Sequence, residues 1–529
     1  MGVVRARHAG RTRTAEVLAG ATLREGIEET GLRVRTACKG NGSCGLCQVR
    51  IVAGEVSAPT VEERLQLDAA QLDAGLRLAC QARLEGDVEL ELVHRAADSV
   101  WRSIAPAALT SPVRPTGPSA GPSGSIAAYA ALDVGTTNLC LALWSDDVAH
   151  RLATRRGPNP QARFGADVVS RLEAARDRAA AAALALAVEQ GVADALDDIA
   201  LRDAVRLARV SSLVAVGNAA MLSLLQASDG GLLDPARWAG GVPSSAPPLL
   251  HWTLADGREA TVHIVPPLGG FVGSDLLAAV LAAELVDREC PALLLDFGTN
   301  TEIALWDGRA LWVTSAAGGP AFESSGMSCA VPAEPGAVDR VWLAGGELRF
   351  EVIAGADPTG VCGSGLVDWL ACLVRLNALS SRGRLAQGSA ASAPALMAGG
   401  RAIPLTVSDV DVFQRAKAAI GAGVRLLARR AEVPCAELRR VVSTGLFGRA
   451  LDIANAQAVG LLPIAPAARF EAYDNLALSG CELLLGAGEG ARALEQLRPH
   501  ARLVNLAQCV EFEDLFVEEL FLRPMGGLP

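Results

Sequence analysis

Lysine is nearly missing from this chain. Of 48 Lys plus Arg, only Lys39 and Lys417 are lysine, and the rest are arginine. With abundant alanine, that bias is the mark of a GC-rich genome. An arginine here carries little information, and the two surviving lysines carry more. Histidine is scarce at 6, with no His-x3-His spacing, which argues against a histidine-built metal centre. Positive charge is short as well. The net charge of −10 argues against a nucleic-acid partner. No apolar run, the stretch 179–188 included, approaches the roughly 20 residues a membrane span needs. The N-terminus lacks a charged-then-apolar signal pattern. These absences predict a cytoplasmic chain with no membrane contact. The 12 Cys are not spaced like a secreted disulfide framework, so metal ligation or plain burial is expected of them.

What is present begins with a stretch carried twice. Leu132-Asp133-Val134-Gly135-Thr136-Thr137 returns as Leu295-Asp296-Phe297-Gly298-Thr299-Asn300, each copy between apolar runs. That reads as strand, tight turn, strand. The glycine lets backbone come close to a ligand. Turn amides and hydroxyls can then face a phosphate, and the aspartate can reach its Mg²⁺ directly or through water. The expected phosphate-loop residues are Gly135, Thr136, Thr137 and Asn138 in the first copy. Gly298, Thr299 and Asn300 are their counterparts in the second. Asp133 and Asp296 are expected to serve Mg²⁺ and the γ-phosphate of ATP from opposite sides of one cleft.

The N-terminal part carries a second signal. Cys38, Cys44, Cys47 and Cys80 follow the spacing Cys-x5-Cys-x2-Cys-x32-Cys, the first three in a Gly-rich loop that also holds Lys39. Three thiolates in one loop and a fourth far along match a [2Fe–2S] site. A structural zinc site needs two close pairs, and Cys80 has no near partner in sequence. Zinc and simply buried thiols remain the alternatives. Around the loop, Thr22-Leu23-Arg24-Glu25 is a capping box that opens a helix, and Val88 to Val93 alternates like a half-buried strand.

These signals divide the chain. Residues 1–97 read as a [2Fe–2S] ferredoxin-like unit. Residues 98–125, rich in Pro, Gly and Ser, read as a linker that lets it swing. Residues 126–285 and 286–529 read as two halves of an ATPase. Gly273 and Asp275 either line a cleft or belong to an ordinary capped turn. Gly445 and Gly448 form a Gly-x-x-Gly turn after an apolar strand, where an adenosine can lie against bare backbone. A helix over 409–430 carries Lys417. A chain that replaces lysine wherever arginine serves keeps one where a planar guanidinium does not fit, so Lys417 is expected either in a tight site or as a chance survivor on a solvated face. The loop after Ala317 carries Ser324, Ser325 and Ser328 beyond the second phosphate loop, and it either meets a partner or packs the halves together.

Together, the two Asp-x-Gly-Thr-type loops and the late Gly-x-x-Gly resemble the actin, sugar kinase and heat-shock chaperone superfamily of ATPases. Asn159 to Arg171, Ala317 to Cys329, Gly360 to Asp368, Ala416 to Ala419 and Gly445 to Gly448 look like the reductive activators of corrinoid-dependent enzymes. The resemblance covers nearly the whole chain, although Ser443-Thr444 is bulkier and more polar than the residues expected before the Gly-x-x-Gly. It implies a β-grasp ferredoxin domain joined to a duplicated RNase H-like α/β ATPase. It implies ATP-dependent transfer of one electron from the cluster to an inactive Co(II) corrinoid. The implied partners are a corrinoid protein or corrinoid-dependent methyltransferase and an upstream donor such as a reductase, ferredoxin or flavodoxin. A homodimer is expected as well. In the chaperone-like members a helix of the second half presents a basic residue to adenosine, which would give Lys417 a nucleotide contact. Other readings are an electron injector for dehydratases or ring reductases, a small-molecule kinase with a redox sensor, and a non-enzymatic scaffold.

Overall fold

The computed structural model describes residues 2–8, 11–32, 34, 42, 45, 47–93, 100–104, 126–148, 150–203, 205, 207–229, 231–234, 249–253, 259–318, 322, 327–355, 357–386, 395–398, 401–465, 467–485 and 489–527. Its N-terminal sheet has five strands in the order Arg11–Val17, Gly2–His8, Leu84–Leu92, Gln48–Val56, Leu76–Leu78. The first strand and Leu84–Leu92 run parallel, as a β-grasp requires. The helix Leu23–Glu29 starts at the expected capping box. Thr22 accepts from the Glu25 amide while the Glu25 carboxylate accepts from the Thr22 amide. Leu23 and Ile27 on its inner face are fully buried with Val4, Leu78 and Leu90.

Two six-stranded sheets follow, and they share one plan. In the first, Ile126–Val134, Asn138–Ser145 and Arg151–Pro158 make an antiparallel meander, and Leu207–Gly217 then Glu259–Ile264 add in parallel on the other side. In the second, Ala292–Phe297, Thr301–Trp306 and Leu311–Ala316 repeat the meander, and Arg440–Thr444 then Arg469–Tyr473 repeat the parallel pair. Helices Ser274–Ala282 and Leu476–Leu483 lie between the sheets, and their apolar residues share one core with both. They cross closely, because a Cβ on Gly480 would sit 1.9 Å from the Ala278 carbonyl oxygen.

The helix Arg178–Asp203 is long and apolar enough to cross a membrane by length and composition. Half of its apolar window is buried, with Leu184, Val188, Leu196 and Ile199 in the core of the first half.

The expected linker needs a correction. Trp101 and Ile104 are buried in the cores built on the six-stranded sheets. Arg102 exchanges backbone hydrogen bonds with Arg156 on the edge strand Arg151–Pro158. The Ile104 amide donates to the Thr154 hydroxyl, which donates back to the Ile104 carbonyl. Residues 101–104 therefore belong to the edge of this sheet, and residues 105–125 of the expected linker lie outside the described residues. The ferredoxin helix is also held in place: the Asp203 carboxylate accepts from Arg24 at 2.9 Å and from Arg155 of the edge strand at 2.5 Å.

Candidate functional site

Each meander places its aspartate at a strand end facing the other half. Asp133 lies directly across from Cys140, and Cys140 across from Arg156. Asp296 lies across from Glu302, and Glu302 across from Ser315. Directly opposed residues share a face of the sheet, so each half presents one row to the cleft. Asp275, at the start of the helix Ser274–Ala282, joins the two rows.

These carboxylates repel one another. Burial raises Asp133 to about 6, opposed by a hydrogen bond from Asn475 and the charge of Arg156. Burial and the charge of Asp133 raise Asp275 to about 7. Burial, Asp275 and Asp133 raise Asp296 to about 8. Glu302 is driven well above its ordinary value by burial, Asp275 and Asp296. Four acids that resist ionising together form a site suited to a divalent cation. Among the described residues no three acidic, Cys or His side chains lie close enough to ligate one ion directly, so Mg²⁺ here would be held through its waters.

The first phosphate loop is braced from behind. Asn159 donates to the Gly135 carbonyl at 2.8 Å, Arg171 to the Thr136 carbonyl at 2.8 Å, and Asn218 to the Thr136 hydroxyl at 3.1 Å. Tying those carbonyls back removes atoms that would repel a phosphate. Thr137 is exposed and Asn138 half-buried. In the second loop the Gly298 amide donates to the Asn300 carbonyl, closing the turn, and Asn300 is exposed. Asn475 bridges the halves by donating to Asp133 at 2.8 Å while it caps its own helix. Sequence reasoning passed over Asn475, although an Asn before an apolar helix is a capping signal.

The Gly-x-x-Gly turn packs on the second loop. Gly445 has φ of +96°, and a Cβ there would sit 2.4 Å from the Phe297 carbonyl oxygen. A Cβ on Gly448 would meet the Ser443 hydroxyl at 2.3 Å. Thr444, one of the two bulky residues before the turn, accepts the Leu476 amide at 3.0 Å. The Phe447 ring lies edge-on to Phe297 at 5.3 Å and stacks on Phe322 at 4.7 Å.

Lys417 departs from expectation. It occupies a tight site, being fully buried on the helix Val407–Arg430. Its ammonium, however, donates to the Phe521 carbonyl at 2.8 Å and lies 3.5 Å from Glu519. Burial lowers its pKa to about 8. It clasps the C-terminal segment, and its ammonium is not turned to a nucleotide. Ser328 is engaged as well. Its hydroxyl donates to Asp409 at 2.8 Å and its amide to the same carboxylate at 2.6 Å, so it anchors its loop to a helix start. Ser324 and Ser325 lie outside the described residues.

At the other site, the Cys47 and Cys80 sulfurs are buried 3.3 Å apart. Two thiolates on one tetrahedral metal stand roughly 3.7 Å apart, given metal–sulfur bonds of about 2.3 Å, so this pair fits a shared iron. Cys38, Cys44 and Lys39 lie outside the described residues.

Comparison with known proteins agrees with this architecture. Residues 6–85 match the 2Fe-2S iron-sulfur cluster binding domain, residues 129–288 the RACo middle region, and residues 291–527 the C-terminal domain of RACo, the ASKHA domain. A solved structure described as a reductive activator for corrinoid, iron-sulfur protein superposes with a TM-score of 0.65 over 99% of both chains, at 23% identity. The chain is thus a [2Fe–2S] ferredoxin module joined to an ASKHA-type domain. It belongs to the RACo family of reductive activators. The corrinoid activation enzyme RamQ of Eubacterium limosum is 29% identical over 423 residues, 75% of this chain and 70% of that one. The [Co(II) methylated amine-specific corrinoid protein] reductase of Methanosarcina barkeri is 27% identical over 38% of this chain and 40% of its own length.

Proposed function

We propose that this protein is an ATP-driven reductive activator of a corrinoid protein or corrinoid-dependent methyltransferase. One electron leaves the reduced cluster and converts the partner's inactive Co(II) to Co(I), and an upstream reductase, ferredoxin or flavodoxin restores the cluster. Cys38, Cys44, Cys47 and Cys80 hold the [2Fe–2S] group, which supplies the single electron. The observation that carries the reading is the pair of carboxylate rows facing one cleft, in a molecule whose ferredoxin helix is bound to the same domain through Asp203. The loops Gly135–Asn138 and Gly298–Asn300 receive phosphates, with Asp133, Asp275 and Asp296 around the Mg²⁺ waters. Gly445 and Gly448 let the turn pack against Phe297 and Ser443, and that turn would receive the adenosine.

The energetics are of a workable size. For one electron, tenfold in equilibrium is about 59 mV. A domain that holds the reduced cobalt state about 10⁴-fold more tightly shifts the effective potential by roughly 240 mV. ATP binding and hydrolysis would switch the cleft between partner-holding and partner-releasing states. The loop carrying Ser324 and Ser325 is the proposed partner contact, with Ser328 as its anchor.

The test is anaerobic. A Co(II) methyltransferase corrinoid protein is mixed with the reduced activator, with and without Mg·ATP, and the Co(I) absorption band is followed. Co(I) should accumulate only with ATP. Equal reduction in its absence would remove ATP from the mechanism.

A further inference from the structure

The cleft as assembled is rich in carboxyl groups, which become negative charge once a bound metal ionises them. Asp133, Asp275, Asp296 and Glu302 all face it, and a triphosphate adds more. A bound Mg²⁺ offsets two charges. Lys417, the cation expected to serve the nucleotide, is buried on the C-terminal segment. Some other positive group must meet the phosphates.

The edge strand Arg151–Pro158 holds three arginines with different partners. Arg155 points to the far side of the sheet, where Asp198 and Asp203 each accept from it at 2.5 Å. Arg151 faces the cleft side and is clamped by both oxygens of Glu482, at 2.6 and 2.7 Å. Arg156 shares the row of Asp133 and Cys140. Among the described residues it forms no ion pair within 4.0 Å, and its side-chain partner is the Cys140 thiol. The acidic groups whose charge acts on it are Asp474 of the second half, Glu29 of the ferredoxin helix, and Asp133. It is half-buried, so its guanidinium is both sheltered and reachable. The Arg102 backbone pairs with it and fixes its strand position. Among the described residues most sheltered arginines are matched to carboxylates, and Arg171 and Arg498 give their hydrogen bonds to backbone carbonyls, whereas the Arg156 side chain has neither kind of partner and is left for an incoming anion. The planar guanidinium suits phosphate oxygens.

We infer that Arg156 contacts the terminal phosphate of the bound nucleotide, opposite the Asp296–Glu302 side that faces the metal. The inference rests on the ATP reading above. A group that touches the γ-phosphate separates triphosphate from diphosphate, which a merely structural arginine does not.

The test compares Arg156→Gln and Arg156→Lys with wild type in the full-length, cluster-loaded protein. Calorimetry gives Kd for Mg·AMPPNP and Mg·ADP, and the visible cluster spectrum and melting temperature report on folding. Arg156→Gln should weaken AMPPNP binding at least tenfold and ADP binding less than threefold. Arg156→Lys, which keeps the charge, should fall between. Equal losses for both nucleotides, or none, would overturn the assignment while leaving ATP binding in place. Wild-type protein that binds neither nucleotide would overturn the ATP reading and this inference with it. If Arg156→Gln melts early, the ratio of the two Kd values in Arg156→Lys decides alone: a ratio unchanged from wild type counts against the contact.

Discussion

The two halves of the ASKHA-type domain place different residues on the same rung. In the first half the cleft row reads Val216, Asp133, Cys140, Arg156. In the second it reads Thr444, Asp296, Glu302, Ser315. The aspartate is kept in both copies, at the end of the first meander strand. Its neighbours have diverged, one row ending in a cation and the other gaining a second carboxylate. A duplicated sheet fixes where side chains point and leaves their charge free to change. Here the first row carries Arg156 beside its aspartate and the second carries two carboxyls, so under the proposed ATP binding the two walls would offer the nucleotide different partners.

The comparison can be broken most directly at its shared element. Asp133→Asn and Asp296→Asn keep shape and remove charge. Each should lower ATP hydrolysis by about a hundredfold or more, the scale at which preorganised charge acts on a transition state, with the cluster spectrum unchanged. If either variant hydrolyses ATP like wild type, the two rows do not serve one site.

A smaller effect is expected from pH. The raised values of Asp275, about 7, and Asp296, about 8, mean that the metal-free cleft keeps protons near neutrality. A raised carboxyl stabilises the fold fully below its unfolded value, and that contribution is lost as pH climbs through the folded one. The ligand-free protein should therefore lose stability between pH 4 and 8. Mg·nucleotide needs the ionised forms, so its affinity should rise from pH 6 to 8. Binding at pH 7 should release about one proton. Calorimetry in two buffers of different ionisation enthalpy reads that proton, and no buffer dependence would contradict the clustered acids.

The smallest effect on the nucleotide is expected at Lys417. Lys417→Arg overfills a sealed site and should cost about 1–3 kcal/mol of stability. ATP affinity should stay within twofold, since the ammonium serves Phe521 and Glu519. A tenfold loss of affinity without a change in melting temperature would put the side chain back in the nucleotide site.

Much of this was legible beforehand because it is local. The Thr22 capping box, the alternation in Val88–Val93 and the repeated strand–turn–strand all depend on residues a few positions apart. The aspartates and their glycines were visible for the same reason. What escaped depends on distance through space. Asn475 reaches Asp133 from the far end of the chain. For Asp275 the sequence left a cleft and an ordinary capped turn both open, and only the placement of its helix between the sheets brings it to the acids. Arg156 was hidden by abundance, as one arginine among dozens, until its lack of a carboxylate set it apart. Lys417 taught the reverse: rarity located a tight site correctly in kind, and said nothing about which neighbour filled it.

The strand-like docking of Trp101 to Ile104 sets a length scale for electron delivery. Ile104 is fixed to the edge of the first sheet by its two hydrogen bonds with Thr154. The leash of the ferredoxin is the segment between Leu92 and Trp101, which spans at most about 28 Å when fully drawn out. That is close to the diameter of the ferredoxin itself, whose radius of gyration for about 100 residues is roughly 13 Å. Such a leash permits a turn in place and forbids a journey. Under the proposed activity the corrinoid partner would come to the cluster, and its docking geometry, more than any excursion of the ferredoxin, would set the distance the electron crosses.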